Sequence, residues 1–219
     1  MRMAIWIFVA AALGVAFGVA YAQGDGGKTW DFQGDAVSSP PAGFTFGRTG
    51  QGREGKWVVL TDASAPSGDH VLAQTDTDDT DYRFPVAVAN APEVKDLRLE
   101  VRCKAVGGKV DEACGLVFRF KDPDNYYVAR ANALEDNVNL YHVVKGRRRQ
   151  IKGWNGKVTA NAWHSLAIEA RGDHLQVFWE GKPIIDAKDD TFRDAGKVGL
   201  WTKADSVTYF DALTVKPLS

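Results

Sequence analysis

Between Leu97 and Lys152 the chain alternates apolar and polar residues at the two-residue period of a β-strand, broken at short intervals by Gly, Asp, Asn and Pro. Because a one-residue slip would turn every side chain to the opposite face, this pattern restricts the pairings open to the segment. A turn over Gly107–Val110 sets Cys103 opposite Cys114, Val101 opposite Leu116, Leu99 opposite Phe118 and Leu97 opposite Phe120. The turn Asp122-Pro123-Asp124-Asn125 then sets Phe120 opposite Tyr127, Phe118 opposite Ala129 and Leu116 opposite Ala131. A turn over Ala133–Asp136 places Ala131 opposite Val138 and Ala129 opposite Leu140, and Lys145-Gly146 places Leu140 opposite Ile151. The spacing therefore predicts a five-stranded antiparallel meander with one apolar face.

A second hairpin, turning at Gly172-Asp173, pairs Ile168 with Val177, Leu166 with Trp179 and Ala170 with Leu175, and is expected in a facing sheet. Sustained helical periodicity is missing from Thr29 onward; the one helical candidate is a turn near Asp190–Asp194. The expectation is one all-β domain over 29–219, a two-sheet antiparallel jelly-roll sandwich, preceded by a Gly-rich linker over 23–28. At 219 residues the chain is long enough for one sizeable core, and 27 Lys and Arg against 28 Asp and Glu give it no general attraction to nucleic acid.

Arg2, an apolar run from Ala4 to Val19 and the Ala20-Tyr21-Ala22 tripeptide read as an export signal over 1–22, cleaved before Gln23, with periplasmic or secreted localisation. The competing reading is an uncleaved anchor, since the run just reaches the roughly 20 residues needed to span a bilayer. Cleavage leaves no membrane segment. Export places Cys103 and Cys114 in an oxidising compartment, where a disulfide is favoured over a metal pair.

The same registers gather Arg98, Glu100, Arg102, Gly115, Val117, Arg119, Tyr126, Val128, Arg130, Asn132, Asn137, Asn139, Tyr141, Gln150 and Lys152 on the other face of the meander. One explanation is the ordinary solvated side of an antiparallel sheet. The other is a carbohydrate surface, where guanidinium and amide groups hydrogen-bond hydroxyls while an aromatic ring stacks on the sugar, with Gly115 leaving space for it. Trp201 and Lys203 alternate with Val198 and Leu200 in a way that turns them from the core as well.

Glycosidic hydrolysis ordinarily uses two carboxylates. The derived face carries only Glu100, and Glu135, Glu169, Asp205 and Asp211 must reach it from loops or other strands. Glu135 and Asp205 are the first acid/base candidates. The acidic run Asp76, Asp78, Asp79 and Asp81 lacks EF-hand spacing and reads as turns, so no metal or cofactor is expected. The basic run Lys145–Arg149 reads as an exposed hairpin tip, with an acidic polysaccharide as its alternative partner. No G-x-S-x-G elbow, phosphate loop or H-E-x-x-H pair is present.

The stretches GLVFRFKDPDNYYVARANALEDNVNLY, WHSLAIEARGDHLQVFWEGKPIIDAKDDTF and GKVGLWTKADSVTYFD resemble bacterial exported domains of the concanavalin-like lectin and glucanase type. That group overlaps laminin G-like and 3-keto-disaccharide hydrolase domains. The resemblance implies a jelly roll with a concave carbohydrate-facing surface, and it makes Arg130, Asn132, Glu135, Asn137, Tyr141, Trp201, Lys203 and Asp205 the leading site positions. The E-x-D-x-x-E strand of the glucanases is missing, so the resemblance assigns no catalytic residue. Three functions follow as expectations: a glycan-engaging hydrolase acting on a small oxidised disaccharide, a noncatalytic carbohydrate-binding module, and a protein-interaction sandwich.

Overall fold

The computed structural model describes residues 26–219, so the expected export signal and the first half of the linker lie outside the described residues. The described chain runs through β1 (Lys28–Trp30), β2 (Phe44–Gly50), β3 (Trp57–Thr61), β4 (His70–Gln74), β5 (Arg83–Ala89), β6 (Leu97–Gly107), β7 (Ala113–Asp122) and β8 (Asn125–Asn132). It continues through β9 (Asn137–Val144), β10 (Arg147–Asn155), β11 (His164–Arg171), β12 (His174–Trp179), β13 (Lys182–Lys188), β14 (Lys197–Trp201) and β15 (Val207–Pro217). One sheet has the order β13-β12-β11-β6-β15-β4-β3, with β1 also on β15; the other has the order β10-β9-β8-β7-β14-β5-β2. All pairings are antiparallel, which makes the expected two-sheet sandwich. The helical turn expected near Asp190–Asp194 is an irregular loop instead, with single bends at Thr191 and Asp194.

Leu97, Leu99, Leu116, Phe118, Leu140, Leu166, Ile168 and Val177 are all fully buried between the sheets. Each such side chain contributes about 1.5–3 kcal/mol on burial, which explains why all eight point inward as the alternation predicts. The β8–β9 register is the predicted one, with Ala131 opposite Val138 and Ala129 opposite Leu140. The β11–β12 register is also as predicted.

Three predicted pairings are corrected. Strands β6 and β7 are not a hairpin: β6 lies between β11 and β15 in the eight-stranded sheet, while β7 lies between β8 and β14 in the other. The segment between them carries the chain across the core, and Cys103 and Cys114 form a disulfide joining the two sheets, with Cα atoms 6.3 Å apart. Their inward residues face each other through the core, which produces the same apolar parity as a hairpin would. The meander therefore has four strands.

Between β7 and β8 the observed partner of Leu116 is Ala129, two residues from the predicted Ala131. The cause is an irregularity after Phe118, where Arg119 takes a left-handed φ of 45° and β7 gains two residues relative to β8 and one relative to β14. Phe120 consequently leaves the core and joins a second apolar cluster on the outer face. A further bulge between Gln150 and Lys152 sets Lys152, rather than Ile151, opposite Leu140.

Candidate functional site

Six strands of the seven-stranded sheet contribute one residue each to a single cross-strand row: Val86, Trp201, Gly115, Arg130, Asn139 and Gly153. Tyr141, between Val128 and Gln150, and the Asn132–Asn137 pair lie on the two sides of the row's polar end. The predicted neighbours Arg130, Asn132, Asn137, Asn139 and Tyr141 are thus together.

This face is not an ordinary solvated one. Arg130 is 3% exposed, Asn132 0%, Asn139 7% and Tyr141 6%. The sheet curls until Thr49 of β2 reaches Tyr126 of β8, their hydroxyls 2.7 Å apart, and also bonds to the Pro123 carbonyl. Trp201 Nε1 donates to the same Tyr126 hydroxyl at 3.3 Å, and burial pushes the Tyr126 phenol up to about 12. The trench floor is a second small core containing Phe84, Val117, Tyr126, Val128, Tyr141, Val143 and Trp201. Gly115 does not leave ligand space: a Cβ there would lie 3.0 Å from Trp201 Cε3, so the indole already occupies the gap.

At the polar end, Arg130 Nη2 donates to Glu135 Oε2 at 2.7 Å and to the Tyr141 hydroxyl at 3.1 Å, while Nη1 donates to Asn137 Oδ1. Asn137 Nδ2 donates to Glu135 at 3.0 Å, and Gln150 Nε2 donates to Asn139 Oδ1 at 3.4 Å. Burial resists ionisation of Glu135, yet the Arg130 guanidinium and the Asn137 amide outweigh it and hold the carboxyl below its usual range. Arg130 Nε is buried without a hydrogen-bond acceptor. Gly153 leaves room for the Asn139 amide in this position, since a Cβ would sit 2.2 Å from its Oδ1 and displace it.

A charged chain closes the next end. Lys203 Nζ lies 2.9 Å from Asp111 and 2.7 Å from Asp81, and Asn132 Nδ2 donates to Asp111 Oδ1 at 2.8 Å. Burial raises the Asp111 carboxyl, with Lys203 opposing it, whereas Lys203 is raised because Asp81 and Asp111 outweigh its own burial. Asp205 stands beside this chain as a brace. Its carboxylate accepts the backbone N–H groups of Lys109 at 2.6 Å and of Val110 and Asp111 at 3.0 Å. These donors outweigh burial and hold Asp205 ionised below the usual carboxylate range.

Five residues predicted on this face, Arg98, Glu100, Arg102, Arg119 and Lys152, are elsewhere. Glu100 lies on the outer face of the eight-stranded sheet, where it bonds Arg98 at 3.0 Å and Ser165 at 3.0 Å, because its strand crosses to that sheet. Arg98 and Arg102 share that face. Arg119 is fully buried at the bulge and donates to the carbonyls of Lys95 and Phe192 at 2.9 Å, tying loops rather than facing the trench. Lys152 reaches the Asp186 carbonyl on the far sheet. In the acidic run, Asp76 is engaged by Arg53 and Arg83, Asp78 by Thr80 and the Arg53 N–H, and Asp81 by Lys203. Asp81 and Asp111 belong to the site but come from loops, where strand parity carries no signal, whereas Arg148 lies in β10 two residues before Gln150 and shares its face, although the basic run around it read as a hairpin tip.

Residues 50–216 match the family model described as the 3-keto-α-glucoside-1,2-lyase-like domain. A levanase of Bacillus subtilis (strain 168) is 32% identical over 89 residues, which is 40% of this chain and 13% of the levanase. Among solved structures, the carbohydrate-binding module CBM66 from Bacillus subtilis superposes with a TM-score of 0.61 at 24% identity, over 80% of this chain and 95% of that one. The Bacillus licheniformis β-glucanase does so with a TM-score of 0.56 at 13% identity, over 90% and 100%. These likenesses establish a concanavalin-like sandwich, and the extent of the family match makes this chain a member of the 3-keto-α-glucoside-1,2-lyase-like domain family.

Proposed function

We propose that the chain is an exported domain that binds a carbohydrate at the polar end of the concave seven-stranded sheet. Arg130, Asn137, Asn139 and Gln150 supply hydrogen bonds, and Tyr141 supplies the aromatic surface. The observation that carries this reading is the burial of Arg130 with a bare Nε, beside amides that reach the rim. A buried guanidinium is costly unless its donors are satisfied, and sugar hydroxyls are suitable acceptors. The disulfide supports an oxidising compartment, in keeping with periplasmic or secreted localisation. The family and the levanase match support a carbohydrate ligand over a protein partner.

The test is calorimetric titration of wild type, Arg130→Met and Asn139→Ala with a disaccharide and oligosaccharide panel. Loss of affinity by tenfold or more in both variants, with cooperative melting retained, is expected; unchanged affinity in both removes the proposal.

A second, catalytic reading rests on Glu135. Held ionised by Arg130 and partly exposed, it is equipped to accept a proton rather than to donate one. On an oxidised disaccharide it would serve as the base, with Arg130 or Lys203 stabilising charge that develops on the substrate oxygen. Glu135→Gln should then abolish product formation from a 3-keto-disaccharide while preserving binding; full turnover in that variant eliminates Glu135 as the base.

A further inference from the structure

The trench floor holds an aromatic box that already has an occupant. The Arg148 guanidinium carbon lies 4.5 Å from the ring centre of Phe84, 4.6 Å from that of Tyr141 and 5.5 Å from that of Trp201. Phe84 and Trp201 stack at 5.2 Å, and both are fully shielded from solvent. Tyr82 covers the outer edge of Phe84 at 4.7 Å, and its hydroxyl links the β9–β10 hairpin by accepting the Arg148 N–H at 2.8 Å and donating to the Gly146 carbonyl at 3.0 Å.

The guanidinium is poorly satisfied where it sits: Nη1 is buried without an acceptor, and ring faces are its main company. Among the described residues its strand is also the edge strand of its sheet, with β9 alone as a hydrogen-bonded neighbour. Tyr141 joins this box to the polar row, because its ring also faces Arg130 at 5.8 Å and its hydroxyl accepts from that residue.

We propose that the Phe84, Tyr141 and Trp201 box is a subsite for the C–H face of a sugar ring, and that Arg148 is a stopper which the sugar displaces. A sugar ring presents a flat, weakly electropositive C–H face that packs on aromatic rings as a guanidinium does. Its hydroxyls would then lie toward Asn139 and Arg130. The inference rests on the concave-face reading above and adds to it a second ring position and a self-competitor. Removing a competitor raises apparent affinity by the reciprocal of the open fraction.

The experiment titrates wild type, Arg148→Ala, Arg148→Gln and Asn139→Ala with sucrose, trehalose, cellobiose, levan oligosaccharides and choline chloride. Acrylamide quenching is measured in parallel, with and without Trp201→Phe, to isolate Trp201 among the 7 tryptophans. Expected are Trp201 quenching in both Arg148 variants, affinity for at least one of the sugars raised tenfold or more in both, and protection of Trp201 by that sugar. Sugar binding that is lost in Asn139→Ala but unchanged or weakened in both Arg148 variants overturns the box and leaves the concave-face reading standing. Protection by choline alone overturns a sugar subsite in favour of a cation site. Absence of binding by every sugar to every variant overturns both readings.

Discussion

Replacing Asp205 with asparagine distinguishes a carboxylate that braces the site from one that performs chemistry. Its two oxygens accept three backbone N–H groups from Lys109, Val110 and Asp111, the segment that carries the chain from one sheet to the other. Asparagine retains one acceptor oxygen and turns an NH2 group toward donors, so one or two charge-assisted bonds of about 1.5–3 kcal/mol each are lost. The expected cost is about 3 kcal/mol, or about 6–12 °C in Tm for a domain of this size. The sign of the pH dependence follows from the direction of the shift. A carboxyl held below its unfolded range stabilises the fold above about pH 4 and loses that contribution as pH falls through the folded value. Wild type should therefore lose Tm in this acid range more steeply than Asp205→Asn. Calorimetric melts from pH 7 to pH 2 measure both quantities. A variant with wild-type Tm and wild-type acid slope, but with carbohydrate turnover abolished, would refute the bracing role and make Asp205 a catalytic group.

Removing the bridge with Cys103→Ala and Cys114→Ala together releases a loop of sequence separation 11, for which chain entropy alone predicts a loss of about 3 kcal/mol; chemical denaturation checks it, and an unchanged midpoint contradicts it. Leu116→Ala, in the fully buried core, should cost about 2–5 kcal/mol in the same assay. Gly153→Ala would force Asn139 aside, because its Cβ would fall 2.2 Å from that amide oxygen. Sugar affinity should drop several-fold in calorimetry while Tm changes little, and unaltered affinity would show that Asn139 is not a contact.

The parts of this fold that were legible in the sequence are those where local parity and a tight turn act together. The β8–β9 pairing, with Ala131 opposite Val138 and Arg130 opposite Asn139, is of this kind, as is the Ile168–Val177 pairing of β11 with β12. The β6–β7 relationship was not, because inward-facing residues show the same alternation whether a partner lies beside the strand or across the core. The Cys103–Cys114 pairing survived that ambiguity, since either geometry brings the two together. Arg119 illustrates a different limit: a non-glycine residue with left-handed φ inserts a bulge that no propensity announces, and Phe120 beyond it in the same strand changes face. In the site, the Arg130, Asn137, Asn139 and Tyr141 group follows from parity. The face of Arg148 also follows from parity, two residues before Gln150, but its approach to Phe84 and Trp201, like the Asp111, Lys203 and Asp81 chain, depends on where loops land and how far the sheet curls. Curvature of that kind is set by the whole sheet rather than by a short window of residues.

In the function proposed above, carbohydrate meets this protein on the curled outer face of the seven-stranded sheet. A 1H–15N NMR titration with a sugar that binds, followed at the side-chain amides of Asn137, Asn139 and Gln150 and at the Trp201 indole, tests it directly. Saturable shifts are expected at those four side chains, with little change at the backbone amides of Arg102, Ser165 and Lys216. Shifts confined to Arg102, Ser165 and Lys216, on the outer face of the other sheet, would contradict it.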